Sequence, residues 1–279
     1  MRFFKFILGS MAAFAMATMV YPSSAAAEGV FRSGDVKANV SLELMKPDFE
    51  SGSDMSGMAG FLTIRPRYGP MLNGIVEVPF ARSSEVGYYY YEDSKSQTAL
   101  GNVYLGIEGQ GASMGVFGEA GVRIPTAPDD KDNALLAGMF SDLTKMDAFA
   151  PKWYVAKLAL GYDYKSSTGL GTRVKAGPSF WVTSDRDYFG DGNEAFMNYS
   201  GQLYYDTDNV RLSGGISGLL VLTEEDLLGD GANETQFEFA GNVKAGSFQP
   251  GIRFLVPLTR DLDQIVDFVI GFNIQYDFR

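Results

Sequence analysis

A serine in the pattern of a hydrolase nucleophile stands near the middle of the chain. The string Gly111-Ala112-Ser113-Met114-Gly115 matches Gly-x-Ser-x-Gly, in which a strained turn exposes the serine hydroxyl. Such a serine needs a base, and the usual base is a histidine, which this chain lacks entirely. The string also falls in a predicted hairpin rather than between a strand and a helix. We therefore interpret it as a turn, and we expect no catalytic residue and no enzyme activity.

Carboxylates are the other groups with catalytic or metal-binding potential. Glu108 and Glu119 fall on neighbouring predicted strands, but among many arginines and lysines they are better explained as ion-paired residues. A string from Asp185 to Gly190 is similar to the start of a calcium loop, but Phe196 occupies the position of the closing carboxylate. The chain has no cysteine, which excludes disulfides and thiolate metal sites. We expect no metal site and no cofactor.

Most charged residues of the predicted strands share one face. Burying so many unpaired ions in a dry core would cost several kcal/mol for each ion, so this face is hydrated, cross-linked by ion pairs, or both. A soluble β-sandwich would need the same face to be apolar. We predict that these residues line the lumen of a barrel: Lys37, Glu43, Arg65, Glu77, Glu108, Glu119, Arg123, Lys157, Asp163, Arg173, Lys175, Arg211, Glu238, Lys244, Arg253 and Asp267.

The opposite face of the same segments is apolar, most clearly at the end of the chain. In residues 264–278 every even position from Val266 to Phe278 is apolar, and this period of two predicts a strand. The segment is longer than a soluble strand of about five or six residues and suits a tilted strand across a bilayer, which needs roughly 9 to 11. It resembles the closing strand of Gram-negative outer-membrane barrels. We expect the barrel-assembly machinery to recognise it.

Twelve segments of this kind follow one another and predict an all-β fold, a transmembrane antiparallel barrel. The connections alternate between long loops and short turns, which is the outer-membrane pattern, and an even strand count returns both ends to the periplasm. The predicted strands are 35–45, 57–67, 72–80, 98–109, 113–125, 152–164, 170–182, 195–206, 209–221, 235–246, 249–258 and 264–278.

The start of the chain predicts export. Arg2 and Lys5 precede an apolar run from Ile7 to Val20, which is too short to span a membrane as a helix, and Ala25-Ala26-Ala27 fits a cleavage site. We predict a signal peptide over 1–27 and a barrel over 28–279, located in the outer membrane of a Gram-negative bacterium after Sec-type export. Without Arg2 and Lys5 the chain holds 21 basic and 34 acidic residues, and this net charge of −13 argues against a nucleic-acid partner.

The acidity is concentrated in the predicted long loops. These six connections hold 22 acidic and 7 basic residues, whereas the remainder of the mature chain holds 12 acidic and 14 basic. We therefore expect an acidic extracellular rim. The simplest interpretation is a solvated loop surface in contact with the membrane lipid. The alternative is that divalent cations bridge these carboxylates to lipopolysaccharide.

The third long loop carries a helical pattern. Its apolar residues recur at helical spacing, and Asp132 or Asn133 is placed to cap a helix over 133–146. The helix either packs on the rim of the barrel or folds into its mouth as a constriction. The residues predicted for such a constriction are Leu135, Leu136, Met139, Phe140, Leu143 and Met146.

The central hairpin resembles a family of outer-membrane proteins assigned to phenol-degradation meta-pathway transport. The similar strings are Leu100-Gly101-Asn102-Val103 at a strand start and Gly121-Val122-Arg123-Ile124-Pro125-Thr126 at the end of the hairpin. They cover about a tenth of the chain. The resemblance implies a barrel that passes small hydrophobic or aromatic molecules, and it implies no catalytic residues.

A channel for passive diffusion of small solutes is the function that these observations favour. The strands from 152 to 258 are mainly basic on their inner face, and the others are mainly acidic, so facing walls would create a field across a water-filled lumen. Two alternatives stay open. Ion pairs could close the lumen and leave a structural or adhesive surface barrel, or the barrel could carry hydrophobic compounds, which needs an apolar pocket near Leu135 and Phe140.

Overall fold

The structure, a computed structural model, describes residues 38–49, 56–84, 96–110, 115–185, 193–223, 233–259 and 263–278. These residues form an antiparallel sheet that closes on itself into a barrel of twelve strands. The strands are β1 (Asn39–Phe49), β2 (Ser56–Arg65), β3 (Leu72–Ser84), β4 in two segments (Gln97–Leu100 and Val103–Gln110), β5 (Val116–Ile124), β6 (Trp153–Lys165), β7 (Leu170–Thr183), β8 (Asn193–Asp206), β9 (Val210–Val221), β10 (Asn233–Val243), β11 (Phe248–Pro257) and β12 (Val266–Asp277).

The first and last strands close the barrel, as predicted. Each strand pairs with the next in sequence, and β1 also pairs with β12, from Asn39 opposite Asp277 to Phe49 opposite Val266. The predicted count of twelve strands is confirmed. Both segments of β4 pair with β3, so the break at Gly101 and Asn102 interrupts one strand rather than separating two.

The connections define two rims. We call one the long-loop rim, at connections 50–55, 85–96, 125–152, 184–192, 222–232 and 258–265. The other is the short-turn rim, at 66–71, 111–115, 166–169, 207–209 and 244–247. The predicted signal peptide, Lys37 and Ser113 lie outside the described residues.

The outside of the barrel is a continuous apolar surface. Leu160 is 55% exposed and Phe272 61%, and Tyr154 lies at one end of β6 with Tyr162 and Tyr164 at the other. Large exposed apolar surfaces are unusual in soluble proteins, whereas a barrel that crosses a bilayer requires an apolar band with aromatic residues at both edges. None of the helices in the described ranges has the length and apolar character to span a membrane.

The third long connection folds into the barrel and carries two short helices. They are α1 (Asp132–Met139) and a 3-10 helix, η1 (Leu143–Phe149). The predicted single helix over 133–146 is therefore wrong, because the chain ends one helix at Met139 and begins another after Asp142. The predicted cap is also wrong: Lys131 holds the capping position of α1 without a side-chain bond, whereas Asp142 caps η1 by accepting a hydrogen bond from the Thr144 amide at 3.1 Å.

Apolar side chains fill the lumen near the long-loop rim. One core joins α1 and η1 to the tops of β1 to β4, β11 and β12, with Phe61, Leu135 and Phe149 at its centre. A second core holds Trp153, Trp181 and Phe196, and Met146 of η1 packs against it. The two tryptophan rings are 6.0 Å apart between centroids at an interplanar angle of 65°. The connection thus contributes to the cores that fill this part of the barrel.

Candidate functional site

The break in β4 holds the segment that enters the lumen, residues 126–150, which we call the inward segment. The Asn102 amide donates to the Ala148 carbonyl at 2.6 Å, and its side chain donates to the carbonyls of Asp147 and Ala150 at 3.0 and 2.5 Å. A side chain at Gly101 would place its Cβ 2.3 Å from the Ala148 oxygen. The absence of a side chain therefore lets the two backbones meet.

The start of the inward segment is fixed at the same place. The Thr126 hydroxyl donates to the Gly101 carbonyl at 2.6 Å, and the Ala127 amide donates to the Asn102 side-chain oxygen at 3.0 Å. Arg123 also donates to the Asn102 carbonyl at 3.1 Å. The two strings that resemble the phenol-degradation family thus form the site that holds both ends of the inward segment.

Lys145 anchors the inward segment to β1 and β3. Its ammonium group lies 3.0 Å from a Glu43 carboxylate oxygen and 3.6 Å from one of Glu77, and 3.9 Å from the centre of the Phe61 ring. All of these side chains are buried. The pKa of Lys145 is raised: burial by itself would lower it, but the negative charges of Glu43, Glu77 and Asp142 outweigh burial.

Asp142 anchors the segment to β10 and β11. Arg253 of β11 donates to its carboxylate at 2.7 Å, and Gln236 of β10 donates to the other oxygen at 3.1 Å. Burial would raise the pKa of Asp142, but the positive charges of Arg253 and Lys145 hold it well below the usual range. Arg253 also bonds Glu43 and Glu238, so it connects the segment to β1 and β10.

Asp147 makes the third anchor. Arg123 of β5 donates to its carboxylate at 2.7 Å, and Lys157 of β6 donates at 3.1 Å. Arg123 also donates from Nη2 to a carboxylate oxygen of Glu77 at 2.7 Å. The Asp147 anchor is therefore connected to the Lys145 anchor. The three charges of the inward segment therefore reach six strands of the wall: β1, β3, β5, β6, β10 and β11.

Together these groups form a charged network between the inward segment and the inner wall, which we call the lumen ring. It holds five acidic and four basic side chains, so its formal charge is −1. Buried groups of this kind stabilise only when each is paired and hydrogen-bonded, and every member here has a partner. Its members are Glu43, Glu77, Arg123, Asp142, Lys145, Asp147, Lys157, Glu238 and Arg253.

An apolar pocket lies between the inward segment and β10 to β12. Its cavity volume is about 20 Å³, which is room for about one water molecule. Gln236 is the single polar side chain in its lining. The apolar lining residues are Met139, Phe140, Leu143, Met146, Leu255, Pro257, Val266 and Val269.

Fourteen of the sixteen residues predicted for the lumen lie on the inner side of the wall. Ten are buried, and four are half-buried: Lys157, Asp163, Lys175 and Lys244. The lumen ring brings six of them together: Glu43, Glu77, Arg123, Lys157, Glu238 and Arg253. Lys175 pairs with Glu119 at 3.1 Å, so basic and acidic strands meet in ion pairs rather than facing each other across open water.

The prediction for Asp267 is wrong, and Lys37 lies outside the described residues. Asp267 is exposed. The register between β1 and β12 shifts by one residue there, because Asp48 pairs with Phe268 and Phe49 with Val266. Asp267 is the extra residue of this β-bulge, and a bulge reverses the alternation of side chains along the strand.

The six residues predicted for the constriction separate into two sets. Leu135 and Leu143 are buried, and Met139, Phe140 and Met146 are half-buried, whereas Leu136 is 41% exposed. The sequence allowed the segment either to pack on the rim or to fold into the mouth of the barrel, and in the structure it lies inside the mouth. Asp142 and Asp147 are consequently buried, although the sequence assigned both to an acidic outer rim.

The sequence did not identify the charges of the inward segment as part of the site. The sequence favours a solvated loop face for Asp142, Lys145 and Asp147, since no local pattern states which strands they pair with. One signal was available: Ser141-Asp142 precedes Leu143-Thr144, and serine and aspartate are preferred helix caps, so a second helix start could have been predicted. For Asn102 the sequence offers only the resemblance of the string that contains it.

Comparison with known proteins supports the fold. An outer-membrane channel from Pseudomonas putida F1 matches with a TM-score of 0.60 and 14% identity over 91% of this chain and 100% of that one. The NanC porin matches with a TM-score of 0.52 and 9% identity over 86% and 100%. The β domain of the Bordetella autotransporter BrkA matches with a TM-score of 0.52 and 8% identity over 87% and 99%.

The sequence matches no protein-family model and no curated protein. The resemblance of the central hairpin therefore stays a prediction. At these identities the structural matches establish the fold alone, and that fold is the β-barrel of Gram-negative outer-membrane proteins.

Proposed function

We propose that this outer-membrane β-barrel is a transport channel for small solutes, closed at the level of the lumen ring by its own inward segment. In this proposal the long-loop rim faces the outside of the cell and the short-turn rim faces the periplasm. Solutes cross by passive diffusion when the segment shifts. Residues 1–27 direct export, and the barrel occupies 28–279.

The lumen ring is the observation that carries the proposal. A purely structural barrel can fill its interior with apolar residues, which pack with no loss of hydration, whereas an interior of nine charges depends on complete pairing. Such a segment has a second state available, because water can replace the protein partners of each charge once the segment moves. A segment held by apolar packing alone would gain no such hydrogen bonds from water when it moves.

Deleting residues 133–146 tests the proposal. The deletion removes Asp142 and Lys145, and with them two of the three anchors, so water enters the ring. We expect the conductance of single channels in a planar bilayer to rise severalfold over that of the intact chain. A matched control replaces the exposed pair Asp130 and Lys131 by Asn and Gln, which should leave the conductance unchanged.

Persistent absence of conductance steps from the correctly folded deletion variant would contradict the channel proposal. It would favour the other alternative, a closed barrel whose long loops form a structural or adhesive surface. Folding is checked separately by the strand signal in circular dichroism and by the shift in gel mobility on heating.

A second candidate, transport of small hydrophobic or aromatic compounds, is favoured by the apolar pocket. It lies beside Met139 and Phe140, near the position that this function requires. Burying an apolar ligand stabilises a complex by about 25 cal/mol for each Å² removed from water. With a cavity volume of about 20 Å³, the pocket would admit such a compound only when the inward segment shifts.

Binding of an apolar fluorescent probe to the purified barrel tests this candidate. We expect Met139→Gln with Met146→Gln to weaken binding about tenfold or more, because both half-buried side chains line the pocket. Leu136→Gln is the control, since Leu136 lies on the same helix and is exposed. Equal binding by all three proteins would contradict the candidate.

The same proposal includes the surroundings of the barrel. The lipid contacts the apolar exterior, lipopolysaccharide contacts the long loops, and the assembly machinery recognises β12. No enzyme activity is proposed, because the chain has no histidine base and the carboxylates Glu108 and Glu119 lie among basic partners.

A further inference from the structure

Three cations converge on one carboxylate at the short-turn rim. Lys165 donates to Asp206 Oδ2 at 2.8 Å, and Arg211 donates to both oxygens, from Nη2 at 2.9 Å and from Nε at 3.2 Å. Lys244 donates to Asp206 Oδ1 as well. We call these four residues the Asp206 cluster. With three basic groups and one acidic group, its formal charge is +2.

The ends of neighbouring strands build the Asp206 cluster. Lys165 ends β6, Asp206 ends β8, Arg211 is the second residue of β9, and Lys244 follows β10 directly. Because antiparallel strands alternate in direction, all of these ends lie on one rim, on one side of the barrel. The cluster therefore lines the mouth rather than the centre of the lumen.

Asp206 has no capacity left for its excess of cations. A carboxylate accepts about four hydrogen bonds, and the four donors described above occupy those positions. Lys165 is bound to Asp206 by one of its three N–H groups, and its side chain is 40% exposed. The remaining donors of Lys165 thus point to the mouth, next to two other positive charges.

The wall beside the cluster adds further donors. Arg173 is 8% exposed and pairs with Asp163 at a distance of 3.6 Å. It also lies close enough to Arg211 for the two positive charges to repel each other. Its Nη2 and the Ser213 hydroxyl, which is on a residue 4% exposed, have no hydrogen-bond partner among the described residues. These two donors are therefore available to a group that enters from the lumen.

We propose that the Asp206 cluster binds a small multivalent oxyanion, such as phosphate or a dicarboxylate, at the short-turn rim. Such an anion offsets the charge of +2 and accepts hydrogen bonds from several donors at once, which a chloride ion does less well. Lys165 and Lys244 contact the anion from the mouth. The positive charges of Arg211 and Arg173 lie behind them and attract it. The inference goes beyond the channel proposal and does not require an open lumen.

Phosphate binding to the full-length barrel in a neutral detergent tests the inference. Sodium phosphate replaces sodium chloride at constant ionic strength, and the thermal unfolding midpoint is followed with increasing phosphate. We expect a saturable rise for the natural sequence. Lys165→Gln and Lys244→Gln should each weaken the apparent affinity about fivefold, since each removes one charged contact.

Lys152→Gln is the matched control. Like Lys165 and Lys244, Lys152 is a lysine at a rim of the barrel that pairs with carboxylates, but it lies at the opposite rim. Its partners are Asp129 at 3.1 Å and Asp185 at 2.8 Å. Its substitution should leave phosphate binding unchanged. Equal midpoints in phosphate and chloride would overturn the inference, and so would undiminished binding by both Lys165→Gln and Lys244→Gln. Because binding is measured in detergent without flux, its failure leaves the conductance test of the channel unaffected.

Discussion

At the residue scale, Lys145 is the side chain that ties the inward segment to two strands of the wall at once. It is a buried cation on the inward segment, and its partners Glu43 and Glu77 are buried on two strands of the wall. Removing one partner of a buried ion pair leaves the other charge without compensation, which costs more than the pair itself contributed. The lumen ring should therefore be sensitive to loss of any single charge.

Replacing Lys145 by Met tests this sensitivity. We expect the free energy of unfolding to fall by about 3–5 kcal/mol, because two buried carboxylates lose their cation. Urea unfolding in lipid vesicles measures the change. Lys131→Met is the control: its pair with Asp130, at 3.0 Å, is exposed, so the loss should stay below about 1 kcal/mol. Equal stability of the two variants would contradict this role of Lys145.

The pKa values of the inward segment predict how closure depends on pH. A group with a lowered pKa, such as Asp142, contributes stability above its unfolded pKa of about 3.9 and loses it as the pH falls through the folded value. A group with a raised pKa, such as Lys145, contributes stability below about 10.4 and loses it as the pH rises through the folded value.

We therefore expect closure to be independent of pH between about 5 and 9, and to weaken only outside that window. Single-channel conductance at fixed salt, measured in steps of pH, checks this. The chain has no histidine to titrate near neutral pH. A transition in conductance between about pH 6 and 7 would contradict the assignment of closure to Asp142 and Lys145.

At the element scale, the strands were predictable and the position of the inward segment was not. The alternation from Val266 to Tyr276 is a local pattern, and a period of two determines both the strand and its two faces. The partners of Asp142 and Lys145 are separated from them by about a hundred residues, and only the barrel registers bring them together. The bulge at Asp267 depends on the same registers, so the sequence alone placed that residue on the wrong face.

The break in β4 is the element that makes room for the inward segment. We expect Gly101→Ala to displace the segment at a cost of about 1–3 kcal/mol, because the new Cβ would lie 2.3 Å from the Ala148 oxygen. Thermal unfolding and single-channel conductance measure the effect. Gly214→Ala is the control, since the nearest atom to its Cβ is 3.7 Å away. No difference between the two variants would contradict the role of the break.

At the scale of the whole molecule, the barrel combines a wall of twelve paired strands with a separate segment folded into its lumen. The wall is a closed sheet in which β1 pairs with β12, so no strand edge remains open to pairing. Apolar cores occupy the lumen near the long-loop rim, the lumen ring lies across its middle, and the Asp206 cluster lies at the other rim. From the long-loop rim to the short-turn rim, the lumen therefore holds an apolar region first and a positive region last.

The fluorescence of the two tryptophans reports on the position of the inward segment. Trp153 and Trp181 are the only tryptophans of the chain, and both lie in the core against which Met146 of the inward segment packs. When the segment leaves, water reaches both indoles, so their fluorescence emission should shift to longer wavelength while the strand signal stays unchanged. Emission spectra of Lys145→Met and of the 133–146 deletion check this expectation against the natural sequence. Unshifted emission in the deletion variant would mean that the indoles stay dry without the segment.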